Sequence, residues 1–188
     1  FCNTFFQAMA NLKAYNIALK GLAIGKHEFD YQIGKQFFEY FDGGIVGDGR
    51  VDVKLELEKQ SALMVLWFHV KGTVNIQCDR CLDLFDQPVE SEHRVFVKYG
   101  EEKFEEGDDV IWISPGETHI PIAKLIYDFI ILSIPIKHVH SDDADGKSLC
   151  NPEMLKRLNL LSVKVEPEEE PEKTDSRWDE LKKLLDNK

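Results

Sequence analysis

Apolar and polar positions alternate through much of the first hundred residues, and that period of two predicts strands. In residues 14–19, Tyr15, Ile17 and Leu19 share one face; in 28–33, Phe29, Tyr31 and Ile33 do the same. Residues 51–58 alternate most cleanly, with Val51, Val53, Leu55 and Leu57 on one side and charged neighbours on the other. Residues 62–70 are nearly all apolar, which predicts a central strand. A Lys71-Gly72 step leads into a further strand over 73–77. Another strand is predicted over 92–99, with Val95, Val97 and Tyr99 in register, and a short one over 110–113. Helical spacing is rarer. A turn of helix fits 35–41, stopped by Asp42-Gly43-Gly44. Ile120-Pro121 reads as a helix start followed by the apolar face Ile122, Leu125, Ile126, Phe129 and Ile130. Asn151-Pro152-Glu153 supplies a cap, a first-turn proline and a first-turn acid for another. The expected fold class is α+β: about seven strands, mainly an antiparallel meander, with three to four short helices.

The two ends depart from this pattern. Residues 1–12 contain Cys2 and a small-x-small Ala8-Met9-Ala10, but no basic segment of a signal peptide. They are expected to lie outside the fold, with the working chain starting near Met9. Residues 13–163 are expected to form one domain. Residues 164–175 are rich in acids and prolines and cannot bury enough surface to fold, which predicts a solvated linker. Beyond it Trp178, Leu181, Leu184 and Leu185 mark the apolar face of a short docking helix, too short to be stable alone.

Composition narrows the function. The chain has 188 residues, 34 acidic and 23 basic, with a formal charge of −11. Its 43% hydrophobic content suits a soluble globular protein, and no apolar run reaches the ~18–20 residues of a membrane-spanning helix. A protein that holds nucleic acid through phosphates along its whole surface needs the opposite charge. Any contact with RNA must use a local patch or a protein partner.

The chain contains no phosphate-binding glycine loop, no G-x-S-x-G, no H-E-x-x-H and no dinucleotide fingerprint. Its concentrated feature is Cys78-Asp79-Arg80-Cys81, directly after a predicted strand. Two thiolates at this spacing can face one tetrahedral metal, but they make only half a site. Cys150 with His138 or His140 could complete it, and Cys78, Cys81, Cys150 and His140 form a chemically reasonable Cys3His zinc set. Three other readings stand beside this one. A redox pair would need its first cysteine at a helix start. A disulfide would need an oxidising compartment, whereas few cysteines and no export signal point to the cytoplasm. The thiols could also simply be buried core residues. An enzyme centred on Cys78 and Cys81, thiol-redox or metal-dependent, is therefore the alternative to a binding module.

The remaining polar residues carry weaker signals. His69 reads as a core or edge histidine, and His27, His93 and His119 as surface residues near strand ends. The acidic run 101–109 reads as a solvated loop. Arg80, Lys71, Arg94 and Lys98 lie near the C-x-x-C in sequence and are the candidates for contact with RNA or a partner.

The string GTVNIQCDRCLDLFDQPVE resembles the signature of the YceD family, proteins needed for accumulation of large-subunit ribosomal RNA: Gly72, Cys78, Arg80, Cys81 and Leu82 fit its pattern. YDFIILSIPIKHVH resembles the family's second block, with Ile134-Pro135, His140 and Cys150 in the corresponding positions, and RWDELKKL resembles its closing segment. The resemblance implies a non-enzymatic role in ribosome biogenesis, and it supports the zinc set. The expected partners are the large-subunit rRNA precursor (23S) or a basic ribosomal protein, with no membrane and no small-molecule substrate.

Overall fold

The computed structural model describes residues 12–41, 43–100, 109–143 and 145–162. A 3-10 turn at Lys13–Tyr15 leads into β1 (Asn16–Ala18), followed by β2 (Gly25–Ile33), α1 (Lys35–Phe38), β3 (Asp48–Lys59), β4 (Leu63–Gln77) and β5 (Leu84–Tyr99). Then come β6 (Val110–Ile113), β7 (His119–Pro121), α2 (Ala123–Leu132) and α3 (Pro152–Leu161). The expected α+β class holds, and strands dominate. The main sheet has the order β2-β3-β4-β5-β6, and β1 pairs with β7 in a separate two-stranded ribbon. The chain divides after Asn151 into two compact units.

The alternation seen along the chain is the sheet's two faces. Val51, Val53, Leu55 and Leu57 of β3 are each at most 1% exposed. Val70, Phe68 and Leu66 of β4 stand opposite Val53, Leu55 and Leu57, and with Met64 they are on the inner face and fully buried. Val89, Val95 and Val97 continue this layer on β5. Helix α2 packs on β4 and β5 with Ile126 and Ile130 buried, and Phe129 meets the Phe68 ring edge-on at 5.0 Å. Phe41 stacks on Tyr127 at 4.0 Å, tying the segment after α1 to the same helix. Each buried Leu, Ile, Val or Phe side chain contributes about 1.5–3 kcal/mol relative to exposure, so this layer dominates the stability of the unit.

Several expectations need correction. Lys71-Gly72 does not separate two strands: β4 runs unbroken through it. A Cβ on Gly72 would collide with the carbonyl oxygen of Arg50 and lie 2.6 Å from the Cα of Val51, so glycine is what lets β3 and β4 stay paired there. Strand β5 begins at Leu84, not Glu92, and pairs with β4 as far as Gln77↔Leu84. Ile120-Pro121 does not start the helix. It lies in β7, where Pro121 sits opposite Asn16 at the end of a three-residue strand, a place where the missing N–H is tolerated. The apolar face is the expected one, but the helix starts at Ala123. Strand β6 runs parallel to β5, an exception to the meander. His93 is not a surface residue: it lies within β5 and stacks on Phe129 at 4.1 Å. Its Nε2 is buried with no hydrogen-bond partner among the described residues, and burial pushes its pKa down.

In the second unit, α3 begins at Pro152 as expected and carries Glu153 in its first turn, where the helix dipole favours a negative charge. Leu158, Leu160 and Leu161 are exposed. The amino-terminal segment, most of the acidic loop at 101–109, and the linker and docking helix with Trp178, Leu181, Leu184 and Leu185 fall outside the described residues. No helix among the described residues is long and apolar enough to cross a membrane.

Candidate metal centre

The site is built at the tip of the β4–β5 hairpin. The ladder ends at Gln77↔Leu84, and residues 78–83 make the turn. The Cys78 N–H donates to the Asp83 carbonyl at 2.9 Å and the Leu82 N–H donates to the Cys78 carbonyl at 3.0 Å. Leu82 adopts φ 64°, the only non-glycine residue with positive φ among those described. This tight closure brings the Cys78 and Cys81 side chains to the same, buried side.

The other half comes from the segment after α2. There the Asp142↔Ser148 bridge closes a loop, and the Asp143 carboxylate accepts the N–H groups of Asp145 and Lys147 at 3.0 and 2.8 Å. The loop returns Cys150 to the neighbourhood of His140. A clamp joins the two halves. The Asp79 N–H donates to the His138 carbonyl at 2.9 Å, while the Asp79 carboxylate accepts the His138 N–H at 2.9 Å and meets the ring Nδ1 at 2.7 Å.

That clamp decides between the two histidines. His138 is committed to Asp79, and His140 faces the thiols. Its Nδ1 lies 3.5 Å from the Cys81 Sγ and 3.7 Å from the Cys150 Sγ, and the Cys78 and Cys150 sulfurs are 3.7 Å apart. All four ligand atoms lie within 4.8 Å of one another. A tetrahedral centre with metal–sulfur bonds of ~2.3 Å and metal–nitrogen bonds of ~2.0–2.1 Å has S···S edges of about 3.8 Å and S···N edges of about 3.6 Å. The observed spacings fit that figure, and the cluster could hold a metal ion. A disulfide sulfur pair stands at ~2.05 Å, so these are free thiols. The Phe85 ring packs 4.7 Å from the His140 ring and fixes its plane.

The electrostatics suit a cation. Burial pushes the Cys78 thiol up, but N–H groups of Cys81, Arg80 and His140 and the His140 ring outweigh it and hold the thiol down to about 6. The Arg80 N–H lies 3.4 Å from the sulfur. Burial raises the Cys150 thiol, and the neighbouring sulfurs of Cys78 and Cys81 add to that rise. Crowded thiols with opposed tendencies are relieved when a metal takes their negative charge. A redox pair is a poorer match, because Cys78 closes a strand rather than opening a helix and is 1% exposed.

The structure does not gather the four cations. Lys71 pairs with Glu90 at 3.0 Å on the outer face of the sheet. Arg94 and Lys98 lie on that face too, four and eight residues further along β5, or about 13 and 27 Å at the usual strand rise. Arg94 stacks over Phe96 at 4.9 Å and Lys98 over Trp112 at 5.6 Å. Arg80 alone belongs to the hairpin tip. His69 bonds to Glu92 at 3.2 Å, and His27 to the Ala23 carbonyl at 2.9 Å. Sequence reasoning missed Asp79 and Phe85. Asp79 had a usable signal, as an acid inside the C-x-x-C with a histidine pair in the opposite block.

Fold and cluster together define a class: an α+β protein whose longest hairpin ends in a Cys3His set, its cysteines buried and its histidine partly so, that could hold a metal. The chain belongs to the YceD family: the model for "Large ribosomal RNA subunit accumulation protein YceD" matches residues 66–185, well over half of the sequence and all four cluster residues. No curated protein and no solved structure gives a match to the chain.

Proposed function

We propose that this protein is a non-catalytic factor in the accumulation of large-subunit (23S) ribosomal RNA, acting in the cytoplasm as a binding module with a structural zinc ion. Family membership supports the ribosomal role. The observation that carries the zinc reading is the set Cys78, Cys81, His140 and Cys150, three buried cysteines and a half-buried histidine whose ligand atoms lie within 4.8 Å of one another. Four protein ligands complete a tetrahedron and leave no position for substrate, which is the pattern of a structural rather than a catalytic site. Bound there, zinc would tie the hairpin tip to the segment between α2 and α3. The tip, with Arg80, would then be held in one conformation for contact with the rRNA precursor or a basic ribosomal protein, the latter favoured by the charge of −11. The acidic stretch and the helix carrying Trp178, Leu181, Leu184 and Leu185 would serve as a tethered docking arm.

Two experiments test this. Elemental analysis of reduced, untagged protein should give one zinc per chain, and Cys81→Ser should lose it; zinc-free wild-type protein would remove the metal from the proposal. Sedimentation profiles and 23S precursor levels in a deletion strain should show a deficit of large subunits. Normal levels would overturn the ribosomal reading.

A further inference from the structure

The hairpin tip presents apolar side chains where neither folding nor ligation calls for them. Leu82, next to Cys81, is 55% exposed, and Leu149, next to Cys150, is 58% exposed. Leu82 also holds φ 64°, a region that glycine enters freely and branched or bulky residues rarely do. The turn uses only its backbone: the N–H donates to Cys78 and the carbonyl accepts from the Gln77 side chain at 2.8 Å. Glycine would make both bonds without strain. A leucine kept at a strained position with its side chain in water is explained by something outside the chain.

The charges around these leucines say what. Residues 79–86 carry three aspartates and one arginine, and 142–149 carry three aspartates and one lysine. Asp83, Asp142 and Asp145 are exposed. Phosphates would be repelled by these aspartates, whereas Lys and Arg side chains would be attracted to them. Exposed apolar side chains next to charged ones are also what protein interfaces use.

We infer that the tip is a docking surface for a basic protein segment, which covers Leu82 and Leu149 with apolar side chains and meets the neighbouring aspartates with Lys or Arg. This rests on the ribosomal reading only for where such a segment is sought.

The test uses the full, zinc-loaded chain and three probes: individually purified large-subunit ribosomal proteins, individually purified small-subunit ribosomal proteins, and a 23S rRNA transcript. Wild type should bind at least one large-subunit protein, more weakly as salt rises. Leu82→Gly should weaken binding about tenfold while zinc content and Tm stay the same or Tm rises, because the backbone strain is removed. Leu149→Ser should weaken binding similarly, and Ile24→Ser, which removes a still more exposed apolar residue from the β1–β2 loop, should not. Leu82-dependent binding to small-subunit proteins alone would support the docking surface but overturn the large-subunit reading. The inference fails if Leu82→Gly binds as wild type does, if it lowers Tm by several degrees, if only the transcript is bound, or if Leu82 mediates only self-association.

Discussion

Stripping the metal from the Cys3His cluster should cost a measurable and calculable amount of stability. Zinc would join Cys78 to Cys150 across 72 residues, and Cys81 to His140 across 59. A cross-link over a loop of that length removes chain entropy from the unfolded state worth about 4 kcal/mol. The two loops are nested, so they do not add. The Asp79–His138 clamp and the hairpin ladder survive without metal, so the apo chain remains folded but loses up to that amount. At about 2–4 °C per kcal/mol for a chain of this size, Tm should fall by about 8–16 °C. The assay is differential scanning calorimetry in a non-thiol reductant, with zinc-loaded protein, chelator-treated protein, and treated protein to which one equivalent of zinc is returned. Reversal by zinc separates loss of the cross-link from damage. Cys150→Ser gives a second arm, because it opens the longer loop while leaving Cys78, Cys81 and His140 in place. If the loaded protein holds stoichiometric zinc but its Tm lies within about 2 °C of the stripped protein's, the cluster does not tie the tip to the segment before α3.

Three further outcomes are expected. Gly72→Ala should destabilise the sheet by about 2–4 kcal/mol, since the new Cβ meets Arg50 and Val51 backbone and can be relieved only by spreading β3 from β4; equilibrium urea unfolding with an unchanged midpoint would contradict this. Asp79→Ala should lower metal affinity about tenfold without removing any ligand, because it frees the His138 segment that carries His140; competition with a chromogenic chelator measures it. His93 has a folded pKa held below its ordinary value of 6.5 by burial. The unfolded chain therefore takes up the proton first, so this residue's contribution is intact above about pH 6.5 and is lost as pH falls from there through the folded value. His93→Leu should remove that part of the acid sensitivity, seen as a smaller drop in urea midpoint between pH 7.5 and 5.5 than in wild type.

What could be read from the chain depended on the local range of the signal. Val51 to Leu57 announced β3 because one face is buried and the other wet. The first half of β5 stayed hidden because Leu84, Asp86, Gln87 and Pro88 are poor strand formers, and Val89 is its only buried residue before Val95. Their strand state follows from pairing with β4, a tertiary fact. Lys71-Gly72 looked like a step between two strands until β3 was laid alongside, when the glycine became a requirement of close approach. Cys78, Cys81, Cys150 and His140 could be grouped as candidate ligands from chemistry alone, and the structure brings them together. Chemistry alone left His138 beside His140, and the family resemblance pointed to His140; the contact of His138 with Asp79, across 59 residues, is what the sequence could not show. The cations were misleading for the same reason. Lys71 and Lys98 flank the cysteines in sequence, but the strands on which they lie carry them far apart.

The hairpin that holds the cysteines also sets an order in time. Its two strands are neighbours in the chain, joined by a six-residue turn, so they can zip together within microseconds and present Cys78 and Cys81 as a ready two-thiol claw. His140 and Cys150 arrive only after β6, β7 and α2, and their capture waits on closing loops of 59 and 72 residues. A metal ion met early would therefore be held by half of the candidate ligands, and gripped fully only when the distant segment had found its place. Completion of the cluster would thus be a late event in the folding of the first unit.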